Sequence, residues 1–301
     1  MAADQLNWDD LKIFLAVART GNLVKAARKL RIDQSTVSRR ITQLEYALGA
    51  SLFERSHTGL ALNGFGAELL ESVQSMDTGF AALSATLDRQ SSVLHGPVRI
   101  GTMEGIATLY LSSRLAAFHR EYPAITVELV TSAQQLYVTH READVFLGFF
   151  KPQGRGLDAE QMGRFSLHLY ASDSYLEQQG VPEDVDALSQ HKFVGYIDDL
   201  IQIDAVRWLE EVVSKPDLVF QSTSMLAQMF AAAAGVGIVL LPDFADAGRF
   251  GLRRVLGDEV RVTRDLWLSV HRELRYVPRI KAAVSFLENL LLKDPLFAQT
   301  D

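Results

Sequence analysis

The segment Gln34–Ile41 concentrates side chains that can form hydrogen bonds with nucleic acid; it reads Gln-Ser-Thr-Val-Ser-Arg-Arg-Ile. On a helix, Val37 and Ile41 share one face, so the polar and basic side chains point away from it. Gln can form paired hydrogen bonds with adenine and Arg with guanine, and hydroxyl groups suit phosphates or bases. The candidate DNA-binding residues are Gln34, Ser35, Thr36, Ser38, Arg39 and Arg40 here, with Arg55, His57 and Thr58 further along. The alternative is an ordinary solvated helix face that carries two arginines.

Three short helices are predicted to position this segment. Apolar residues recur at helical spacing before residue 50, and Asp33 and Gly49 are suited to begin and end the third helix. A tight turn at Arg31-Ile32 separates the second helix from the third, which is the helix-turn-helix pattern. Two short extended pieces around Thr58-Gly59 predict a β-hairpin wing. Residues 1–62 are therefore expected to form an all-α winged helix-turn-helix domain.

A long helix is predicted over residues 63–89. Its apolar residues step by four and three, which is the spacing of a helix–helix seam. The seam residues are Leu69, Val73, Met76, Phe80, Leu83 and Leu87. We favour a dimer seam, because no globular partner lies beside this helix in the sequence. The alternative is an ordinary amphipathic helix that packs on its own domain.

Beyond a Gly- and Pro-containing linker, short apolar strands alternate with helices. The predicted strands are Val98–Gly101, Ile125–Val130, Val145–Phe149, Leu167–Tyr170, Lys192–Val194, Leu218–Phe220, Val236–Leu241 and Leu266–Val270. The predicted helices lie near 106–120, 134–141, 203–213, 224–234 and 277–292. This alternation predicts an α/β domain with largely parallel sheets.

The composition narrows the possible functions. The chain has 301 residues and no cysteine, which excludes disulfide scaffolds, thiolate metal sites and cysteine nucleophiles. Its formal net charge of −7 is unevenly distributed, since basic residues outnumber acidic ones within residues 1–62 and the reverse holds beyond them. A basic N-terminal segment followed by an acidic remainder favours a polyanion-binding module joined to a part that does not bind polyanions.

Neither a catalytic centre nor a membrane segment is expected. The seven histidines lack metal-ligand spacing and the sequence has no Gly-x-Ser-x-Gly motif, so we expect no enzyme activity, no metal and no cofactor. The longest apolar stretch, Met229–Leu241, spans 13 residues, fewer than the roughly 18 that a membrane helix needs. The N-terminus shows no signal-peptide pattern. The expectation is a cytoplasmic protein with no membrane partner.

Residues 6–66 closely resemble the N-terminal domain of LysR-type transcriptional regulators. The residues that carry the resemblance are Leu11–Leu30, Gln34–Glu45, Leu48-Gly49, Leu52–Arg55 and Leu62–Gly66. Ser35 stands where the family often has proline, and Asn63 stands where it usually has threonine. Ser35 loses the pre-organisation of proline at a helix start but adds a hydroxyl, and Asn63 is still a good N-cap.

A looser resemblance over the rest of the chain implies an effector domain. The segments that carry it are Val98–Thr102, Leu167–Asp173, Ala232–Pro242 and Leu266–His271. In this family, two Rossmann-like α/β subdomains similar to a periplasmic binding protein follow a linker helix. The expected domains are 1–62 (DNA-binding), 63–89 (linker and dimerisation helix) and 90–301 (effector-binding). Subdomain I is expected at about 97–163 and 266–301 and subdomain II at about 164–265, with crossovers near 163–166 and 262–265.

The resemblance also implies partners. We expect double-stranded DNA with an inverted-repeat operator, bound by a homodimer that assembles into a homotetramer on the nucleoid. A small organic effector of unknown identity and contact with RNA polymerase complete the expected partners.

Ligands of such a fold sit in a cleft beyond the carboxyl ends of the strands. The expected effector-binding residues are Thr102, Met103, Glu104, Thr131, Ser132, Phe149, Gly195, Tyr196, Thr223 and Ser224. Thr102 and Ser224 are each expected to open a helix, and two helix N-termini that face one cavity favour an anion. Glu104 works against an anion, because it satisfies the helix dipole itself or repels the ligand. The alternative is that Thr102 and Ser224 are only helix caps.

Two other functions stay open from the sequence. An effector-independent or nonspecific DNA-binding protein would show a steep salt dependence and no preferred sequence. An enzyme whose N-terminal domain attaches it to DNA would need a nucleophile–base pair in the cleft, and the sequence contains no recognisable pair of this kind.

Overall fold

The computed structural model of the chain describes residues 6–56, 59–87, 94–131, 143–152, 156–200, 207–257 and 259–298. The chain divides into two units, Met1–Asp88 and Arg89–Asp301. Within the described ranges, the structure contains no helix with the length and apolar character needed to span a membrane.

The first unit begins with three helices, as predicted. They are α1 (Trp8–Thr20), α2 (Leu23–Leu30) and α3 (Gln34–Leu48). Asn7 and Asn22 cap the first two, since each side-chain oxygen accepts a backbone N–H of the following turn. Asp33 occupies the N-cap position of α3, as expected, but its side chain forms no capping hydrogen bond. Gly49 ends α3 in the left-handed conformation, which confirms the predicted helix end.

A hairpin and a long helix complete the first unit. Strands β1 (Phe53–Ser56) and β2 (Gly59–Leu62) pair antiparallel, and the backbone N–H of Leu60 donates to the Gly21 carbonyl at 2.9 Å. This bond holds the wing against the turn between α1 and α2. Helix α4 (Gly64–Leu87) follows, and Asn63 caps it by accepting the N–H of Gly66 at 2.8 Å.

The first half of α4 packs on its own domain. Val73 is 1% exposed and belongs to the same core as Phe14 of α1 and Ile41 of α3, and Leu69 packs against that core. The expectation that α4 has no globular partner is therefore wrong for this half. The first apolar residues of the predicted seam, Leu69 and Val73, therefore pack against the three-helix core.

In the part of the second unit that the structure describes, the strands form a mixed nine-stranded sheet. Its strands are β3 (Gly96–Thr102), β4 (Ile125–Thr131), β5 (Val145–Gly148), β6 (Leu157–Ser172), β7 (Lys192–Gly195), β8 (Asp217–Gln221), β9 (Ile238–Pro242), β10 (Leu252–Val255) and β11 (Val262–His271). Their order is β4-β3-β5-β11-β6-β9-β7-β8, with β10 paired to β6. An α/β domain is confirmed.

Two long strands join the halves of this sheet. Strand β6 pairs antiparallel with β11 along the whole of β11, while β5 and β9 pair with the far ends of β11 and β6. The parallel pairs are confined to β3–β4, β3–β5, β7–β8 and β7–β9. The expectation of largely parallel sheets is therefore wrong. The first part of β6 contains polar residues such as Glu160 and Arg164, so it lacks the apolar run that predicts a strand. Only its last part, Leu167–Tyr170, is predicted from the sequence.

Helices cover the second unit. A π-helical segment at Ile106–Leu111 continues into α5 (Ser112–Glu121), and α7 (Met225–Ala233) and α8 (Pro278–Lys293) follow where they are predicted. Helix α6 (Asp173–Gln179) was not predicted. Of the predicted helix at 203–213, the described residues contain only a short 3-10 turn, Leu209–Glu211. The predicted helix at 134–141 lies outside the described residues.

Gly66 is expected to be essential for the stability of the first unit. A Cβ atom at this position would lie 2.2 Å from the backbone oxygen of Leu52. Gly66→Ala should therefore lower the free energy of unfolding by about 1–3 kcal/mol through overpacking, as measured by calorimetry on the full chain. Gly64→Ala is the matched control, because a Cβ there meets no atom within 4 Å. Equal melting temperatures for the two variants would contradict this account.

Candidate nucleic-acid interface and effector site

Helix α3 presents its polar face to solvent because its apolar residues are buried. Val37 and Ile41 lie in the core, and Gln34, Ser35, Ser38 and Arg39 are exposed at the N-terminal part of the helix, while Thr36 and Arg40 are partly buried. The structure thus brings the predicted polar residues of α3 together on one accessible surface. We call this surface, defined by Gln34, Ser35, Ser38 and Arg39, the α3 polar face.

The two neighbouring arginines have different surroundings. The Nη1 atom of Arg40 donates to Oδ1 of Asp10 at 2.8 Å, and Asp10 is mostly buried in α1. This ion pair connects α3 to α1 inside the unit. Arg39, the preceding residue on α3, is exposed. Both arginines are DNA-binding candidates from the sequence, which cannot reveal this ion pair because Asp10 is 30 residues away from Arg40.

The wing contains one described DNA-binding candidate. Arg55 is exposed on β1, where its backbone pairs with Leu60 of β2. His57 and Thr58, the other predicted wing residues, lie outside the described residues.

The second half of α4 exposes apolar side chains. Met76, Phe80 and Leu83 are 51%, 50% and 56% exposed, and they continue the spacing of the predicted seam. The ring of Phe80 lies 6.0 Å from the ring of Trp8. The side chain of Leu87 lies outside the described residues.

In the second unit, parallel register aligns the carboxyl ends of three strands. Thr102 at the end of β3 lies beside Thr131 of β4 and Leu147 of β5. Thr102 is fully buried, and its hydroxyl has no hydrogen-bond partner among the residues that the structure describes. Thr102 does not open a helix, contrary to expectation, because its backbone still belongs to the ladder and the next helical turn starts from the Met103 carbonyl, which accepts the Ala107 N–H at 3.0 Å.

Ser224 caps α7 as predicted, and it also contacts Glu104. Its hydroxyl accepts the Ala227 N–H at 3.1 Å and donates to Oε1 of Glu104 at 3.0 Å. A carboxylate of the protein itself therefore lies at the N-terminus of α7, which is where an anionic ligand would be most favoured. Glu104 was expected to act on the helix in whose first turn it lies, and its observed contact is with the N-terminus of α7 instead.

Two further predicted residues, Tyr196 and Phe149, are aromatic. Burial raises the pKa of Tyr196, and the nearby Glu104 carboxylate acts in the same direction. Phe149 packs 4.8 Å from Phe165 and 5.3 Å from Trp208, measured between ring centroids. Trp208 and Gln228 line a pocket together with the predicted Gly195 and Tyr196.

Sequence reasoning missed Trp208 and Gln228. Both lie outside the strand ends that guided the prediction, and only the tertiary fold places them beside Tyr196. Of the other predicted residues, Met103 is partly buried, Thr131 and Thr223 are exposed, and Ser132 lies outside the described residues.

The first unit is a winged helix-turn-helix with an exposed polar recognition face. The second is an α/β unit in which candidate binding residues lie at strand ends. Together they define a DNA-binding regulator with a ligand-binding domain, and comparison with known proteins supports this class. Residues 8–67 match the bacterial regulatory helix-turn-helix proteins of the lysR family, and residues 91–291 match the LysR substrate binding domain. The chain belongs to the LysR family of DNA-binding transcriptional regulators.

Two curated relatives illustrate the similarity. The Mau operon transcriptional activator of Paracoccus denitrificans is 24% identical over 285 residues, which cover 95% of this chain and 96% of that protein. The HTH-type transcriptional regulator CrgA of Neisseria meningitidis serogroup B is 26% identical over 239 residues, with 79% and 80% covered.

Solved structures share the fold. Full-length OxyR C199D from Pseudomonas aeruginosa has a TM-score of 0.78 at 16% identity and covers 99% of both chains. Full-length CbnR complexed with its target DNA has a TM-score of 0.61 at 20% identity, with 94% of this chain and 99% of that chain covered. The expected fold class, a winged helix-turn-helix domain followed by an α/β effector domain, is confirmed.

Thr102→Val should stabilise the second unit. Valine has the same shape as threonine and removes a buried hydroxyl that has no partner among the residues described in the structure. Burying such a group typically costs ~1–3 kcal/mol. The expected result is a higher melting temperature in calorimetry of the full chain. Thr131→Val is the control and should change little, because Thr131 is exposed. A lower melting temperature for Thr102→Val would show that the hydroxyl stabilises the fold.

Substitutions of the two arginines of α3 should differ in their effect on stability. Arg39→Ala should weaken binding to the cognate DNA by about 1–3 kcal/mol, the typical value of a base contact, with the melting temperature unchanged. Arg40→Ala should lower the free energy of unfolding by about 1 kcal/mol, because it removes the ion pair with Asp10. Fluorescence anisotropy and thermal unfolding of both variants provide the test. Equal losses of affinity with cognate and random DNA for Arg39→Ala would show that Arg39 contacts only phosphates.

Proposed function

We propose that the protein binds an inverted-repeat operator as a dimer through α3 and responds to a small organic effector in the cleft of its second unit. The α3 polar face is the observation that carries this proposal. Its residues lie at the N-terminal part of the helix, which is the part that a recognition helix directs to base edges in the major groove.

Within this proposal, the DNA-binding residues contact different parts of the DNA. Gln34 and Arg39 contact base edges, and Ser35, Thr36 and Ser38 contact bases or phosphates. Arg40 can bond a phosphate while one of its five N–H groups stays on Asp10. Arg55, with His57 and Thr58, contacts the DNA backbone or the minor groove from the wing.

The proposed dimer forms through α4. Exposed apolar side chains at Met76, Phe80 and Leu83 support it, because water contact with such a row is unfavourable and a second α4 helix would bury it. Val73 contributes to the core of its own domain instead, and Leu69 packs beside it. Two such dimers form the proposed tetramer.

The proposed effector site includes Thr102, Met103, Glu104, Thr131, Ser132, Phe149, Gly195, Tyr196, Thr223 and Ser224. It is supported by the Glu104–Ser224 contact and by the buried Thr102 hydroxyl, which has no hydrogen-bond partner within the described ranges. An effector that binds one arrangement of the two sheet halves more tightly would shift the population toward it. DNA bending or contact with RNA polymerase would change as a result.

We further propose that the protein acts as a regulator and not as an enzyme, in the cytoplasm and on the nucleoid. The family match supports this role. The expected domain limits, 1–62, 63–89 and 90–301, remain part of the proposal.

Selection of bound duplexes from a random library, followed by sequencing, tests the proposed function. The full chain is used at near-physiological salt, because nonspecific affinity rises steeply at low salt. Enrichment of an inverted repeat is the expected result. Binding without enrichment would contradict the proposal and favour a nonspecific DNA-binding protein.

Leu83→Asp should disrupt the dimer. A charge at this position would lie in the proposed apolar seam, where it has no partner. Sedimentation of the full chain should show a lower mass for this variant. Ser75→Asp is the control, since Ser75 is exposed on the same helix but lies outside the seam. An unchanged mass for Leu83→Asp would disprove the seam.

A further inference from the structure

The pocket beside Tyr196 combines an apolar wall with one buried amide. The wall is formed by buried or half-buried side chains of β7, β8 and β9 and of the segment before the Leu209–Glu211 turn; they are Val194, Trp208, Leu218 and Leu240. Gln228 of α7 also lines the pocket and is only 2% exposed. We call this site the Gln228 pocket.

The protein itself fixes one end of the Gln228 amide. Nε2 of Gln228 donates to the Ser222 carbonyl oxygen at 2.7 Å, and the Ser222 N–H donates to the Gly195 carbonyl at 3.0 Å. Because a carbonyl oxygen can only accept, the first bond determines which end of the amide is the NH₂ group. The Oε1 atom is therefore the end that remains for a ligand.

This second end of the amide lacks a donor from the protein. Oε1 of Gln228 receives no hydrogen bond from any residue within the described ranges. An acceptor of so deeply buried a side chain is costly to leave without a donor. A ligand with an N–H or O–H group would remove this cost, so the pocket favours a hydrogen-bond donor at this point.

The charged residues that line the pocket pair with one another at its edge. Arg207 donates to the Asp198 carboxylate and lies 3.9 Å from Oε1 of Glu210, and both carboxylate side chains are exposed. Since Arg207 is already paired with carboxylates, the pocket does not require an anionic ligand. An ionised group against the apolar wall would lose its hydration without a new partner, so the favoured ligand is uncharged.

We propose that the Gln228 pocket binds an uncharged aromatic group of the phenol or indole class, whose O–H or N–H donates to Oε1 of Gln228. The inference rests on the proposed effector response and names the class of its effector, because Gly195 and Tyr196 belong both to this pocket and to the proposed effector site. A flat ring suits an apolar wall that contains Trp208, since aromatic pairs contribute beyond the burial of apolar area. Gln228 is then the residue that selects effectors with a donor.

The position of Gln228 connects a bound ring to the rest of the second unit. Its backbone N–H donates to the Ser224 carbonyl at 3.1 Å, one helical turn away, and the Ser224 hydroxyl donates to Glu104. A ligand on Gln228 therefore lies one turn from the contact that joins the two halves of the sheet. If it binds one arrangement of the halves more tightly, it shifts the population toward that arrangement.

Calorimetric titration of the full-length protein with phenol and with indole tests the proposal. We expect at least one of them to bind with a dissociation constant of ~1 mM or lower. Fluorobenzene and benzofuran have nearly the same shapes but lack the donor, so each should bind about tenfold more weakly than its parent. Absence of binding of both phenol and indole at about 10 mM, well above that constant, would overturn the proposal. Equal binding of the donor-free compounds would also overturn it, because the pocket would then recognise only apolar area.

Two variants locate the bound ring. Gln228→Met keeps the length of the side chain but removes the acceptor, and it should weaken binding about tenfold. Leu218→Phe fills the pocket from a half-buried position of β8 and should abolish binding. Gln221→Met is the matched control, because Gln221 is exposed and should leave the affinity unchanged. Thermal unfolding of each variant verifies that it is folded. Full binding in Gln228→Met would overturn the assignment of the donor to Oε1, and full binding in Leu218→Phe would place the ring outside the pocket.

This inference and the proposed function can fail separately. A chain that selects an inverted repeat from the random library but binds neither phenol nor indole would contradict the inference alone. A chain that binds phenol or indole as expected but selects no repeat would contradict the proposed DNA-binding function and support the pocket.

Discussion

The burial of Val37 and Ile41 determines which face of α3 reaches solvent, and the DNA-binding account depends on it. Each buried side chain of this kind contributes about 1.5–3 kcal/mol relative to exposure. Successive residues are rotated by about 100° around a helix, so a different register would turn Gln34 and Arg39 toward the core. The ion pair between Arg40 and Asp10 supports the same orientation from the side of α1. The polar face is thus a consequence of core packing.

In the second unit, the feature on which the rest of the structure depends is the long antiparallel ladder of β6 and β11. It is the structural link between the sheet half that contains β3 and the half that contains β9. The Glu104–Ser224 hydrogen bond connects the same two halves at the strand ends. Glu104 and Ser224 both belong to the proposed effector cleft, so a change in the arrangement of the two halves would alter the contacts within it. A regulator needs such a link between ligand binding and shape.

Local patterns in the sequence predicted local structure well. The three helices of the first unit, the Gly49 helix end and the Ser224 cap depend on neighbouring residues, and the structure contains all of them. Interactions over long separations could not be predicted in this way. The partners Arg40 and Asp10 are 30 residues apart, and Glu104 and Ser224 are 120 apart. The polar part of β6 was missed because pairing with β11, and not apolar character, makes it a strand.

The central claim is that α3 of two protomers enters the major groove at two equivalent sites. Methylation interference at guanine N7 tests it most directly, because N7 lies in the major groove. The measurement uses the full chain and an operator selected from a random library. The account predicts interference at two symmetric positions about one helical turn, or 10 base pairs, apart. Binding that is unaffected by N7 methylation, or interference spread evenly along the duplex, would contradict it.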